Sequence, residues 1–256
     1  MRRLGRIFKE DGKTVIVAID HGMGLSVNPA LDNMGGVIRG IVAGGADAVL
    51  TTYGVACKYT EELKNVGLIL RVDGSGSCLN SDDECPDLLF TVEDALKIGA
   101  DAVACMGFPG ASYEHKCMEN VAELSRQGRA WGVPVVAEML PGGFSPAIPN
   151  SVENLVIAAR IGCEYGASII KTSYNGTPEE FKRVIKASYQ PVVVLGGEKT
   201  SDLPSLFDCI EKAMSAGAAG VAIGRNVWKH ENPEMVTRAL VDLVHNGKRA
   251  FEIELA

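Results

Sequence analysis

Histidine is scarce in this chain of 256 residues. The four histidines, His21, His115, His230 and His245, lie far apart in the sequence, and no H-E-x-x-H pattern occurs. A zinc site usually takes its ligands from such a pattern or cluster. No G-x-G-x-x-G follows the first predicted strand, so the usual sign of a dinucleotide site is missing as well. The sequence therefore predicts a protein that uses neither a metal ion nor an organic cofactor.

Long apolar runs are also absent. No stretch approaches the roughly 20 apolar residues that are needed to span a bilayer. Residues 1–8 are basic, but they contain no long apolar segment and no cleavage site, so we do not interpret them as a signal peptide. The net charge of −7 disfavours binding to nucleic acid or to an anionic membrane. We expect neither kind of partner.

The cysteines show no metal or redox spacing. There are seven of them, an odd number, and no C-x-x-C occurs: Cys57, Cys78, Cys85, Cys105, Cys117, Cys163 and Cys209. Such a set is typical of reduced, mostly buried thiols, and we therefore expect a cytoplasmic protein.

Short β-branched runs alternate with longer amphipathic segments along the whole chain. The predicted strands are 14–19, 47–51, 68–72, 101–105, 134–139, a sixth around Ile169 and Ile170, 191–195 and 220–223. The clearest helical segments are 112–131, 152–165 and 178–188. Strands this apolar are typical of parallel sheets that are covered on both faces. Eight such units predict one α/β domain over residues 1–256, a (β/α)8 TIM barrel, with an open doubly wound sheet as the alternative.

A small repeat supports the number of units. Gly-Ala followed by Asp, Ser or Ala begins at Gly45, Gly99, Gly166 and Gly217, before each even-numbered strand. We expect the glycine to end a helix and the small residue to allow a tight turn into the sheet. The longest irregular stretch, 74–87, follows the third strand, and its composition is compatible with a lid or with a subunit contact.

Lys171 lies at the end of the sixth strand, where the chain should still be buried. An unpaired buried ammonium tends to lose its proton, and a neutral amine attacks carbonyl groups to form Schiff bases. The structural alternative is a lysine that extends to water or pairs with a carboxylate. Active sites of TIM barrels lie at the carboxyl ends of the strands, so the residues after the other strands decide between these interpretations.

Candidate partners of Lys171 follow strands one, seven and eight. Asp20 can orient the lysine or move protons, or it can cap a loop; His21 can bind substrate or be a hydrogen-bonded structural residue. The loops after strands seven and eight contain glycines and one arginine, as barrel phosphate sites do, although a lone Gly-Gly is usually a turn. These residues are Gly196, Gly197, Gly224 and Arg225. We interpret Trp228, Tyr174 and Phe108 as packing residues.

These motifs together resemble a known family. Residues 20–22 (Asp-His-Gly), 170–174 (Ile-Lys-Thr-Ser-Tyr), 194–197 (Val-Leu-Gly-Gly) and 221–226 (Val-Ala-Ile-Gly-Arg-Asn) are similar to the class I, archaeal-type fructose-bisphosphate aldolases. That group includes 2-amino-3,7-dideoxy-D-threo-hept-6-ulosonate synthase and the autoinducer-2 thiolase. The resemblance extends from about Leu4 to His245, and its most specific parts are Lys171 and residues 224–226.

The resemblance implies roles for the residues named above. Lys171 would be the Schiff-base lysine and Asp20 its acid/base partner. His21, Gly22, Gly196, Gly197, Gly224 and Arg225 would bind the substrate and its phosphate. The protein would be a cytoplasmic, metal-free homo-oligomer of the ring type, such as a decamer.

One residue departs from the family pattern. The aldolases and the synthase carry a tyrosine at the end of strand five, where this chain has Leu140, which has no proton to give. The thiolase also lacks this tyrosine, and residues 112–116 resemble a thiolase stretch. We expect a class I aldolase that acts on a phosphorylated ketose. The alternatives are the transaldolase-like synthase, thiolase-type acyl transfer on a phosphorylated dione, and a non-catalytic sugar-phosphate-binding barrel.

Glu138 is the candidate replacement for the missing tyrosine. Alternate residues of a strand point to the same face, so Glu138 should face the barrel interior like Leu140, one layer deeper. A carboxylate in that position needs a partner, and Lys171 on the adjacent strand is the nearest candidate. We predict that Glu138 takes over part of the proton transfer, with a purely structural ion pair as the alternative.

Overall fold

A computed structural model of the chain describes residues 1–22, 28–74, 76–77, 79, 85–145, 147–196 and 202–254. Eight parallel strands form a closed barrel in the order β1-β2-β3-β4-β5-β6-β7-β8. They are β1 (Thr14–Ala18), β2 (Ala48–Thr51), β3 (Gly67–Arg71), β4 (Ala102–Gly107), β5 (Val135–Met139), β6 (Ile169–Thr172), β7 (Val192–Leu195) and β8 (Gly220–Ile223). The chain is therefore a TIM barrel, as the sequence predicts, with strand ends within two residues of the predicted ones.

Helices surround the barrel. They are α1 (Met34–Ala43), α2 (Tyr53–Lys58), α3 (Thr60–Leu63), α4 (Val92–Lys97), α5 (Glu114–Trp131), α6 (Val152–Glu164), α7 (Pro178–Ala187), α8 (Leu203–Ser215), α9 (Arg225–Trp228) and α10 (Pro233–Val244). Three 3-10 turns lie at Arg2–Arg6, Pro29–Leu31 and Ala250–Glu252. Helix α7 begins with a capping box in which Thr177 and Glu180 satisfy each other's backbone N–H groups. No helix within the described residues is long and apolar enough to cross a membrane.

The strands carry two cores, one on each face, as a period of two requires. Inside the barrel, Ile16, Ile69, Val136, Ile169 and Val193 belong to one cluster of fully or almost fully buried side chains. Their strand neighbours pack outward against the helices in a second, larger cluster. This double burial explains why the strands are almost purely apolar in sequence.

The Gly-Ala repeat has a second function that its sequence did not reveal. All four glycines have a positive φ: it is +79° at Gly99 and between +92° and +102° at Gly45, Gly166 and Gly217. Each glycine therefore ends a helix in the left-handed region of backbone space. The Asp47 carboxylate, two residues after Gly45, accepts the Val15 N–H of the neighbouring strand at 2.6 Å.

The same bond recurs around the bottom of the barrel. Asp101 accepts the Leu68 N–H at 3.1 Å, and Ser168 accepts the Val135 N–H at 3.3 Å. The repeat thus joins the amino-terminal ends of adjacent strands at the face opposite the predicted active site.

The long stretch after β3 begins and ends in a short antiparallel ribbon, Asp73–Gly74 with Asp87–Leu88. Residues 75, 78 and 80–84 lie outside the described part of the chain. The interpretation of residues 74–87 as a lid or a subunit contact therefore stays a prediction.

Candidate active site

The charged residues of the site form the layer directly above the inner apolar core. Arg71 follows Ile69 by two positions, Glu138 follows Val136, and Lys171 follows Ile169, so all three side chains share the inner face. Asp20 follows Ala18, the last residue of β1, by two positions. The strand period that fills the barrel with apolar side chains therefore also directs this layer of charges towards one point.

Lys171 and Glu138 form an ion pair in this layer. They are register partners on β6 and β5, and Lys171 Nζ lies 2.9 Å from Glu138 Oε1. Both residues are buried, at 5% and 7% exposure. The predicted contact between the two residues is present, and it places a proton acceptor directly on the amine.

Arg71 is the centre of the cluster, and the sequence analysis did not single it out. Its Nε donates to Asp20 Oδ2 at 2.9 Å, and its Nη2 donates to Glu138 Oε2. Its Nη1 lies 3.4 Å from Asp73 Oδ1, and Asp73 also accepts the Met106 N–H at 2.7 Å. One buried guanidinium thus holds three carboxylates that arrive from β1, β5 and the ribbon after β3.

The carboxylates respond differently to this common environment. Burial alone would raise the pKa of Asp20, but the charges of Arg71 and Lys171 outweigh it and hold this pKa at about 2. The pKa of Glu138 is also lowered, since Lys171 and Arg71 together overcome the effect of burial. For Asp73 burial prevails over Arg71, and its pKa is raised. Asp20 and Glu138 therefore stay ionised at neutral pH.

His21 is fixed beside Asp20 by packing. Its ring meets the Trp228 ring edge-on at 5.3 Å between centroids, and Trp228 Nε1 donates to the Ala18 carbonyl at 3.1 Å. His21 Nδ1 lies 3.6 Å from Asp20 Oδ1. Burial is the main reason that the pKa of His21 is lowered, with Asp20 opposing this effect. A neutral imidazole that can both donate and accept hydrogen bonds therefore faces the site.

Gly224 makes room for His21. A Cβ at Gly224 would lie 2.5 Å from His21 Cε1 and 2.8 Å from the Ala18 carbonyl oxygen, closer than such atoms approach in proteins. The glycine after β8 is therefore required by the close approach of the histidine after β1. From the sequence alone, Gly224 was predicted only to belong to a phosphate loop.

The loops after β7 and β8 lie side by side. Asn226 Nδ2 donates to the Gly196 carbonyl at 3.3 Å, which ties the two loops together. Arg225, the first residue of α9, is half-buried and lies close enough to lower the pKa of His21. Gly197 and residues 198–201 lie outside the described part of the chain. The predicted phosphate loops thus converge beside Lys171 as far as their described residues show.

A cavity of about 800 Å³ opens above the charged layer. Its lining includes seven of the nine predicted site residues: Asp20, His21, Glu138, Lys171, Gly196, Gly224 and Arg225. Gly22 lies in the turn after β1 but does not line the cavity. Arg71 and Asp73 line it as well, although the sequence analysis did not name them.

Arg71 could have been found by the rule that found Glu138. It is a lone charge between Leu70 and Val72 in an apolar strand, two positions after an inward-facing isoleucine. Asp73 gave no comparable signal, because it lies beyond the predicted strand 68–72 and directly before the irregular stretch, where only the folded chain shows the path.

The three aromatic residues interpreted as packing groups have that role. Trp228 and Phe108 are almost fully buried. Phe108 packs edge-on against Tyr113 and Phe144, and Tyr174 packs against Phe181 at 4.8 Å between ring centroids. The thiolase-like stretch, 112–116, lies at the start of α5 and does not contribute to the cavity lining.

Fold and site together define a barrel enzyme with a buried, carboxylate-paired lysine at the carboxyl ends of its strands. Residues 14–230 match the family model of the DeoC/LacD family aldolases, so the chain belongs to this family.

Two curated relatives are similar over nearly the whole chain. The 2-amino-3,7-dideoxy-D-threo-hept-6-ulosonate synthase of Halobacterium salinarum is 36% identical, covering 95% of this chain and 91% of the relative. The class 1 fructose-bisphosphate aldolase of Thermoproteus tenax is 33% identical, covering 96% and 95%.

The fold agrees with solved structures of the same kind. One of them is an archaeal fructose-1,6-bisphosphate aldolase, which superposes on this chain with a TM-score of 0.87. In that structure the catalytic lysine is covalently bound to the carbinolamine intermediate of the substrate. The two chains are 32% identical, and the match covers 95% of this chain and 98% of the other. The protein is thus a class I, Schiff-base aldolase, as its sequence resemblance implies.

Proposed function

We propose that this aldolase cleaves or forms a carbon–carbon bond in a phosphorylated ketose and that Lys171 is its Schiff-base residue. The ion pair between Lys171 and Glu138 at the base of the cavity carries the proposal. It is supported by the fructose-bisphosphate aldolases among the relatives, whose substrate is a phosphorylated ketose.

Glu138 has a defined part in the first steps. Lys171 must lose a proton before its amine can attack, and the Glu138 carboxylate is the acceptor at 2.9 Å. The neutral amine adds to the ketone, and loss of water from the carbinolamine leaves a protonated iminium. Glu138 can return its proton to the departing hydroxyl, so that the carboxylate is restored when the iminium forms.

The iminium then serves as the electron sink for bond cleavage. A base removes the proton of the hydroxyl next to the scissile bond, the bond breaks, and its electron pair forms an enamine on the lysine. Leu140 provides no acid/base group, so the proton goes to a carboxylate of the charged layer. Asp20 is ionised and lines the cavity, and we assign it this task together with Glu138.

Arg71 is a positioning residue in this scheme. Its guanidinium fixes Asp20 and Glu138 relative to each other, and its charge keeps both in the ionised form. Gly196, Gly197, Gly224 and Arg225 bind the phosphate, with His21 next to the reacting carbons. The convergence of the described loops after β7 and β8 supports this assignment.

Reductive trapping tests the proposal. Borohydride with dihydroxyacetone phosphate should add the mass of the reduced donor to Lys171 in the wild-type protein and not in Lys171→Met. A matched control is Lys182→Met, because Lys182 is an exposed lysine of α7 that pairs with Glu179. An unlabelled Lys171 in folded wild-type protein would contradict the proposal and favour the non-catalytic sugar-phosphate-binding barrel.

We also propose that the protein acts as a cytoplasmic homo-oligomer of the ring type. Large apolar side chains are exposed on or directly after three consecutive helices: Trp131 of α5, Ile157 and Tyr165 at α6, and Tyr189 after α7. Such a surface supports contact with a second copy of the chain. Light scattering after size exclusion should give a mass several times that of the chain, and a monomeric mass would contradict this assembly.

A further inference from the structure

We propose that the substrate carries a phosphate only on the ketone side of the scissile bond and that the aldehyde released or accepted is neutral. This inference rests on the proposed function, since it concerns the direction in which the substrate lies across Lys171. It separates this chain from an enzyme of fructose bisphosphate, which has a phosphate at both ends.

The order of the strands sets the direction. Lys171 is on β6, and the phosphate loops follow β7 and β8 on one side of it. The rest of the cavity lies on the other side, above β5, β4 and β3. A ketose whose carbonyl is on Lys171 and whose first phosphate is at Arg225 must therefore extend its remaining carbons towards β5 and β4.

Above the charged layer, the described residues of the cavity wall on that side are uncharged and mostly apolar. Met106 lies near the end of β4, and Leu140, Phe144 and Ile148 belong to the segment after β5. Ser145 and Asn150 add uncharged polar groups at the rim. Such a wall suits an aldehyde with an alkyl or hydroxyalkyl substituent.

Beyond Arg71, the described residues that line this side include no lysine or arginine. Lys116, near the start of α5, pairs with Asp87 at 3.7 Å and does not line the cavity. Between Arg71 and Lys97 the chain contains no lysine or arginine, and between Arg129 and Arg160 it again contains none. Among the residues outside the described part of the chain, the single cation is Lys199, which belongs to the loop after β7.

The cation that the charged layer has on this side, Arg71, is already engaged. Arg71 contacts Asp20, Asp73 and Glu138, so its charge is more than balanced by its own partners. A second phosphate above β4 and β5 would lose its hydration against apolar side chains and would be repelled by these carboxylates. The geometry therefore selects against a bisphosphate.

The test compares aldehydes in the synthesis direction with dihydroxyacetone phosphate as the donor. The acceptors are glyceraldehyde 3-phosphate, glyceraldehyde, acetaldehyde and propionaldehyde. We expect kcat/KM for at least one neutral aldehyde to exceed that for glyceraldehyde 3-phosphate by tenfold or more. If no neutral aldehyde reacts better than the phosphorylated one, the inference is wrong.

Failure of the proposed function gives a different result. Trapping with the donor alone does not involve the far wall, so a labelled Lys171 together with preference for glyceraldehyde 3-phosphate overturns only the inference about the aldehyde. An unlabelled Lys171 overturns the proposed function itself.

A substitution at the rim provides the second readout. Ser145 is exposed and lines the far wall. Ser145→Lys should raise the efficiency for glyceraldehyde 3-phosphate relative to glyceraldehyde at least fivefold, because it supplies the missing cation. Ser145→Gln adds a neutral side chain of similar reach and should leave the ratio unchanged. Equal ratios in the two variants would show that charge on this wall does not select the aldehyde.

Discussion

Lys171 Nζ and Glu138 Oε1 lie 2.9 Å apart on directly paired residues of β6 and β5. The arrangement gives a test of proton transfer that leaves the nucleophile in place. Glu138→Gln keeps the size of the side chain and removes its basicity. We expect turnover to fall by roughly 10² or more. Borohydride trapping should become slower, because Glu138 no longer accepts the proton of Lys171, but it should still label Lys171 after long incubation. Trapping measured by mass spectrometry and turnover by product formation separate the two steps. Near-normal turnover would contradict a catalytic role and leave a structural ion pair.

Arg71 should matter for stability as well as for activity. Arg71→Met leaves Asp20, Asp73 and Glu138 without their shared cation, and removal of one partner from a buried charge network costs about 3–5 kcal/mol. Urea denaturation measures the loss. The double variant Arg71→Met/Asp73→Asn should recover part of it, because one unpaired carboxylate is then removed. Equal stabilities of the single and double variants would contradict the coupling.

Acid should weaken the contribution of Asp20 to the stability of the folded protein. Its pKa in the folded protein is about 2, below its ordinary value of 3.8. A carboxylate with a lowered pKa stabilises the fold fully above its unfolded pKa, and this stabilisation is lost as pH falls through the folded pKa. The full contribution is about 2 kcal/mol, of which about 1 kcal/mol should be gone at pH 3.

The measurement compares wild-type protein with Asp20→Asn, which cannot titrate at this position. The difference in their free energies of unfolding should decrease by about 1 kcal/mol between pH 5 and pH 3. The pKa of Asp73 is shifted in the opposite direction, but Asp73 is present in both proteins. A difference that is independent of pH would show that the charges of Arg71 and Lys171 do not hold Asp20 ionised.

Gly224→Ala should displace His21 from the site. The added methyl group would lie 2.5 Å from His21 Cε1. We expect kcat/KM to fall at least tenfold while the protein stays folded, as circular dichroism would show. Gly54→Ala is the matched control, because a Cβ at this position in α2 meets nothing within 4 Å. Equal activities in the two variants would contradict a functional position of His21.

Arg225→Ala should affect the phosphate end of the substrate alone. Loss of a charge-assisted hydrogen bond costs about 1.5–3 kcal/mol, so binding of dihydroxyacetone phosphate should weaken by a corresponding factor. Binding of unphosphorylated dihydroxyacetone should change little. Competition against reductive trapping measures both. If both ketones lose the same factor, Arg225 does not bind the phosphate.

The sequence predicted the barrel well because each strand is buried on both faces. The β-branched runs are typical of a parallel sheet that is covered on both faces. The glycines before the even-numbered strands indicated where the helices end. Glu138 could be placed opposite Lys171 because a strand period of two needs no knowledge of distant contacts. Two of the three carboxylates that contact Arg71, Asp20 and Glu138, are 51 and 67 positions away in sequence, so only closure of the barrel brings them to it.

The joints between neighbouring strands at Asp47, Asp101 and Ser168 all lie at the amino-terminal end of the barrel. The rim loops at the opposite end take no part in them. Divergence in those loops can therefore alter the aldehyde that the enzyme accepts while the scaffold is inherited intact. Exchange of the loop after β5 between relatives would be a direct route to new substrate preferences in this family.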